Sequence, residues 1–227
     1  MDQPFARIPL IGEKAPSFEA ETTHGSIRFP DDYQGKWVVF FSHPADFTPV
    51  CTTEFMTFAS MAGEFKELNC ELLGLSIDSN YSHIAWVRTI KDKIEYRDMK
   101  NVEIPFPIVA DLTMDVARKY GMIQPQASTT HAVRAVFIID PEATVRAVLY
   151  YPLSNGRNMD EVKRILLAMQ HSDEHGVATP ANWRPGDDVI IPPPGSCEDA
   201  ETRVASPAKD ARCLDWFLTL KSCPHGN

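Results

Sequence analysis

The feature that most constrains this chain is a repeated change of hydrophobic period. Over the first three quarters of the sequence, short apolar runs alternate with longer segments whose apolar residues recur every three or four positions. Side chains flip face at every residue of a strand but return to one face of a helix only after three or four, so neither pattern substitutes for the other. Residues 37–41, 72–77, 107–110, 136–139 and 145–150 are predicted strands. Between them, residues 52–68 place Phe55, Phe58, Ala59, Ala62 and Phe65 on one stripe, and 82–93, 114–120 and 160–171 are further predicted helices. Two hairpins are expected, one turning at His24-Gly25 and the other at residues 140–143. Strand and helix alternation with hairpins at both ends predicts an α/β fold, a mixed sheet flanked by helices on both faces.

The pattern fades beyond residue 175. Pro180, Pro185, Pro192, Pro193 and Pro194, with Gly186 and Gly195, predict an extended, irregular arm. Such an arm is expected to lack a core of its own, so Trp183, residues 189–191 and residues 214–220 must bury against another surface, in the same chain or in a second subunit. The expected organisation is therefore a main domain over 1–175 and an arm over 176–227.

A net charge of -9 argues against a protein that grips phosphate backbones, so nucleic acid is not an expected partner. No stretch approaches the roughly 18 consecutive apolar residues of a membrane span, and the N-terminus has no apolar run of signal-peptide length. The expected location is cytoplasmic, with no membrane partner. The five cysteines (Cys51, Cys70, Cys197, Cys213, Cys223) are odd in number and form no Cys-x-x-Cys, which fits neither a disulfide framework nor a structural zinc site. The chemistry of individual thiols is the better question.

Cys51 lies in the stretch HPADFTPVCTTEF, between a predicted strand and a predicted helix. In the first turn of that helix, unpaired N–H groups and the positive end of the dipole favour a thiolate. Ionisation raises the thiolate fraction only about 30-fold, whereas enzymes commonly need about a million-fold acceleration. Further groups must therefore stabilise the transition state. Thr48 offers a hydroxyl one turn earlier, and Pro44 a rigid apolar shield without an N–H. A buried cysteine is otherwise a small core residue. The residues alone also admit a Cys-His hydrolase, with His43 or His131 as base to Cys51, and a non-enzymatic redox sensor or holdase that uses cysteine oxidation to change shape.

The spacing Pro44-x-x-x-Thr48-x-x-Cys51 resembles the active-site signature of the peroxiredoxins, and PADFTPVCTT resembles their long-armed one-Cys class in particular. The resemblance continues through Ser76-Ile-Asp-Ser79, Ile104-Pro-Phe-Pro107, residues 130–136, Leu149-Tyr-Tyr-Pro152 and Gly156-Arg157 into the arm. It implies a thioredoxin-like mixed sheet flanked by helices, with an extended C-terminal arm. It implies a thiol-specific peroxidase of antioxidant defence, reducing hydrogen peroxide and small alkyl hydroperoxides through a cysteine sulfenic acid, without metal or haem cofactor. The implied partners are a thiol reductant, either a thioredoxin-like protein or a small thiol, and further copies of the chain, as a homodimer assembling into a larger ring such as a decamer.

By position, Cys51 becomes the peroxidatic nucleophile, Thr48 the hydrogen-bonding partner of the peroxide, Pro44 the shield and Arg134 the active-site arginine. Arg157 takes the place of a second, outer arginine. His43 is either a packed imidazole or a group that orients peroxide or tunes Cys51. Glu54 is either part of the helix's first-turn charge pattern or a member of an arginine network. Cys213-Leu-Asp-Trp-Phe217 resembles the arm motif that carries a resolving cysteine, but the next cysteine, Cys223, lies ten residues on, a wider spacing than the motif has. Cys213 and Cys223 are both candidate resolving residues, with Cys213 favoured because it begins the family-like segment. Cys70 is expected in the core, and Cys197 exposed beside Glu198 and Asp199. Some long-armed members are also phospholipases with a lipase-like serine element; the corresponding residues 29–35 contain no serine, so that activity is not expected.

Overall fold

The computed structural model describes residues 7–206 and 208–222. The chain divides into two compact units between Met159 and Asp160. The first unit holds strands β1 (Phe18–Thr22), β2 (Gly25–Phe29), β3 (Trp37–Ser42), β4 (Cys70–Ser76), β5 (Ile108–Ala110), β6 (Arg134–Ile139) and β7 (Val145–Tyr151), with helices α1 (Pro49–Glu67), α2 (Asn80–Lys93) and α3 (Asp115–Lys119). All predicted strands, helices and both hairpins of this region are present. The strands form one mixed sheet in the order β2-β1-β5-β4-β3-β6-β7. Strands β3, β4 and β5 run parallel, joined through α1 and α2, and the antiparallel hairpins β1-β2 and β6-β7 close the two edges.

Central β3 is buried along its whole length, which is why Trp37-Val-Val-Phe-Phe reads as a continuous apolar run without alternation. Its alternate residues still serve opposite faces. Phe40 meets Tyr120, just beyond α3, edge-on at 4.9 Å, while Phe41 stacks on Phe58 of α1 at 4.5 Å. Gly74 of β4 lets these rings approach: a Cβ there would lie 3.3 Å from the Phe55 ring and 3.5 Å from that of Phe41. The consequence for function is placement. The C-terminal end of β3 delivers the chain into the loop before α1, and the start of β6 lies beside it.

The second unit begins with helix α4 (Met159–His175), which ends where the arm was expected to start, and continues through β8 (Val189–Ile191), α5 (Cys197–Ala205), β9 (Ala211–Asp215) and β10 (Leu218–Lys221). The arm is not irregular. Its strands form an antiparallel sheet in the order β8-β10-β9, and α5 is capped by Ser196, whose hydroxyl accepts from the Asp199 N–H at 3.1 Å. Trp183 and Val189 bury with Ala168 of α4, packed by Ile165, Leu167 and Val177. The expectation of an irregular arm is thus corrected, because the prolines punctuate short elements rather than abolish them; the surface expected to bury Trp183 is supplied within the same chain, by α4. Leu214, Trp216 and Phe217 at the β9-β10 hairpin remain exposed. No described helix is long and apolar enough to cross a membrane.

Candidate active site

Helix α1 starts at Pro49, three residues ahead of the predicted start. Thr48 is its extended N-cap, and Pro49 occupies the first helical turn, where a missing N–H costs nothing. Cys51 is therefore the third residue of the helix, in its first turn as expected, and its side chain is fully buried. Glu54 follows at three residues' spacing and projects from the same face. Strand β6 starts at Arg134, two residues ahead of its predicted start, because Arg134 pairs in register with Tyr151 of β7.

These elements bring four predicted residues together. The Arg134 guanidinium donates one Nη1 to Cys51 Sγ at 3.3 Å and to Glu54 Oε2 at 2.8 Å, while its Nε and Nη2 donate to the Leu153 carbonyl at 3.0 and 2.8 Å. Arg157 lies behind Glu54. Its backbone N–H and Nε donate to Glu54 Oε1 at 2.7 and 2.9 Å, and its Nη2 donates to Oε2 at 2.7 Å. Its Nη1 donates to the carbonyls of Ser42 and Ala135, both at 2.9 Å, and its cation sits 5.2 Å from the Phe41 ring centroid. Arg157 and Arg134 thus share Glu54 as an acceptor, and the contact with Cys51 comes from Arg134. Glu54 belongs to the arginine network rather than merely to a first-turn charge pattern. Burial opposes its ionisation, but Arg157 and then Arg134 outweigh it and hold the carboxyl below the ordinary glutamate range. Two guanidinium charges against one carboxylate leave one positive charge in the network, and the sulfur is the group it faces.

The loop from β3 to α1 carries the remaining predicted residues. Pro44 is buried, and Thr48 is half-buried with its hydroxyl donating to the Ala45 carbonyl at 2.8 Å. The His43 ring is fully buried, in edge contact with Phe55 and stacked on Trp86. Its Nε2 meets Asp46 Oδ1 at 2.9 Å, and its Nδ1 has no hydrogen-bond partner among the described residues. Burial, partly offset by the bond to Asp46, pushes the His43 imidazole toward its neutral form. The other Asp46 oxygen meets His83 Nδ1 at 2.8 Å. Sequence reasoning passed over Asp46 and His83. Asp46 lies inside the motif itself, whereas His83 reads as one more member of the α2 stripe with Trp86 and Ile90.

His43, Asp46 and His83 are the described residues whose donor atoms converge closely enough for a metal ion, all within 4.8 Å of one another. Their mutual hydrogen bonds already engage both carboxylate oxygens and one nitrogen of each ring. His131 bonds to Ser128 and Thr130. Cys70 opens β4 in the core, where burial pushes its thiol up to about 12. Cys197, at the first turn of α5, is exposed beside Glu198 and Asp199. Cys213 is half-exposed in β9, its Sγ 3.4 Å from the Asp215 carbonyl oxygen, and Cys223 lies outside the described residues.

Known proteins are similar to this chain along most of its length. Residues 11–148 match the AhpC/TSA family, and residues 168–206 match the C-terminal domain of 1-Cys peroxiredoxin. A peroxiredoxin of Methanosarcina mazei is 66% identical over 214 residues, covering 94% of this chain and 98% of that protein. One of Aquifex aeolicus is 53% identical, covering 94% and 97%. Among solved structures, a yeast mitochondrial 1-Cys peroxiredoxin, described in terms of thiol resolution by the glutathione and thioredoxin systems, superposes with a TM-score of 0.81. It is 38% identical and covers 95% of this chain and 100% of that one. A cysteine-to-serine mutant of peroxiredoxin 6 from Arenicola marina gives a TM-score of 0.79 at 35% identity, covering 96% and 99%. With its thioredoxin-like sheet and a cysteine set in the first turn of α1, the chain belongs to the AhpC/TSA family, the peroxiredoxins, which are thiol-dependent peroxidases.

Proposed function

We propose that Cys51 is the peroxidatic cysteine and that the protein reduces hydrogen peroxide and small alkyl hydroperoxides. The observation that carries this reading is the Arg134 guanidinium. It is fixed by Leu153 and Glu54, with one Nη1 3.3 Å from Cys51 Sγ. A fixed, buried cation stabilises the negative charge that the sulfur brings to the reaction and that spreads over sulfur and oxygen as the O–O bond opens. Thr48 uses its proton on Ala45 and keeps lone pairs that can accept the hydroperoxide O–H. Pro44 presents no N–H that would compete for the oxygen. The sulfur forms a bond to the terminal peroxide oxygen, the O–O bond breaks, and the departing oxygen takes a proton as water or an alcohol. Cys51 is left as a sulfenic acid, which a thiol reduces by forming a disulfide and releasing water.

The reductant is a thioredoxin-like protein or a small thiol, and Cys213 of a neighbouring subunit is the favoured internal partner. The exposed Leu214, Trp216 and Phe217 support a homodimer built through the arm, extending to a ring such as a decamer, in the cytoplasm. Residues 1–175 then act as the peroxidase domain and 176–227 as the dimerisation arm. Peroxide consumption in the presence of dithiothreitol or thioredoxin tests the reading. Turnover in the wild type and in Cys70→Ser but not in Cys51→Ser is expected; equal turnover in Cys51→Ser overturns it.

A further inference from the structure

We propose that Asp46 and His83 form a buried clamp that holds loop 43–48 in the shape that receives hydroperoxide, making both positioning residues of the peroxidase. The inference rests on Cys51 being the thiol that reacts with peroxide. The loop does not hold this shape by local preference. Phe47 has φ 55, the left-handed region, which costs an ordinary residue roughly 1–2 kcal/mol. Asp46, immediately before it, ties the loop to the end of β4 and to α2, and through His83 to β5. Its backbone N–H donates to Asp78 Oδ2 at 2.9 Å, and Asp78 is itself held by the Ser76 hydroxyl at the end of β4 at 2.7 Å. Its two carboxylate oxygens take His43 Nε2, just past β3, and His83 Nδ1 on α2. His83 Nε2 in turn lies 3.2 Å from the Val109 carbonyl of β5.

The carboxylate is the acceptor at the centre of this clamp. Burial opposes the ionisation of Asp46, but the bonds from His43 and His83 outweigh it and hold the carboxyl well below the usual range, so both of its oxygens accept. The Val109 carbonyl also only accepts. Both His83 nitrogens therefore face acceptors, Nδ1 the Asp46 carboxylate and Nε2 the Val109 carbonyl. His43 must then carry its proton on Nε2, which fixes its tautomer. The Asp46 and His83 side chains are almost wholly buried, with 1% and 0% exposure, so the pair is not dissipated by solvent. Asp46 sits two residues after Pro44 and two before Thr48. Moving its carboxylate therefore moves the shield and the hydroxyl relative to Cys51, while the contacts of Arg134 with Glu54, Leu153 and Cys51 contain no clamp atom.

Two rate constants separate this role from simple support of the fold: oxidation of Cys51 by hydrogen peroxide, and alkylation of Cys51 by iodoacetamide. Alkylation needs a reactive sulfur but no peroxide-holding loop. In Asp46→Asn and His83→Ala, oxidation should slow by about tenfold or more, while alkylation falls by no more than about threefold. In His83→Asn, whose amide can replace the Nδ1 donor toward Asp46, oxidation should recover to within about threefold of wild type. Thermal melts establish that each protein is folded at the assay temperature; if His83→Ala is not, Asp46→Asn and His83→Asn carry the comparison. Parallel losses of both rates, or unchanged oxidation in Asp46→Asn, overturn the clamp. So does a His83→Asn protein as slow as His83→Ala. Slow oxidation of the wild type itself would instead refute the function assigned to Cys51.

Discussion

Replacing Glu54 with Gln removes the charge that joins the two arginines while keeping the side chain's size. The carboxylate is 2% exposed and accepts four hydrogen bonds, one from Arg134 and three from Arg157. A glutamine amide can accept on its oxygen, but its NH₂ faces guanidinium donors, so two cations remain buried against a neutral group. Removing one partner of a buried ion pair typically costs about 3–5 kcal/mol, and the oxygen that Gln retains places the expected loss near ~3 kcal/mol. With a urea slope of about 2 kcal/mol per molar, the unfolding midpoint should fall by about 1.5 M. The difference should also depend on pH. Because the folded Glu54 carboxyl is held below its ordinary range, its stabilisation is fully present above the unfolded glutamate pKa and is lost as pH falls through the folded one. The gap between wild type and Glu54→Gln is therefore widest at neutral pH and closes in acid. Urea unfolding at a series of pH values measures it. A neutral-pH loss under about 1 kcal/mol, or a gap that widens in acid, would refute the reasoning.

Arg134→Met should slow oxidation of Cys51 by about a hundredfold or more, since it removes the donor aimed at the developing charge; stopped-flow mixing with hydrogen peroxide measures this. Truncation after His175 removes Trp183 and Val189 from the cluster around Ala168, and light scattering should show aggregation or loss of the proposed dimer. One equivalent of peroxide without reductant should give a dimer-sized band on a non-reducing gel. Cys51→Ser and Cys213→Ser should each abolish that band and Cys223→Ser should retain it, whereas loss only in Cys223→Ser would transfer the resolving role to that residue.

The elements of the first unit were legible because each carries its own period, and the motif around Cys51 because its spacing is local. What sequence missed is non-local or disguised. Pro49 reads as an interruption before the helix although it opens it, and Arg134 reads as a break before an apolar strand although it is the strand's first residue. Glu54 meets Arg134 across 80 positions and Arg157 across 103, so its spacing along α1 could not distinguish a network member from a first-turn charge. His83 sits on the buried stripe of α2, where only its contact with Asp46, 37 positions away, sets it apart from Trp86 and Ile90. The arm was misread for a further reason. Strands of three to five residues between prolines are too short to show a period, and the surface that buries Trp183 belongs to α4, a helix counted with the preceding domain.

The central claim is that one thiol, Cys51, takes the peroxide oxygen because a fixed guanidinium stands beside it. The direct measurement is intact-protein and peptide mass spectrometry of the fully reduced chain after one equivalent of hydrogen peroxide, quenched in a rapid-mixing device with a sulfenic-acid trap. The account predicts that the trapped adduct forms first on Cys51, ahead of Cys70, Cys197, Cys213 and Cys223, and that this lead disappears in Arg134→Met. Adducts spread evenly over the cysteines, or an unchanged lead of Cys51 without Arg134, would contradict it.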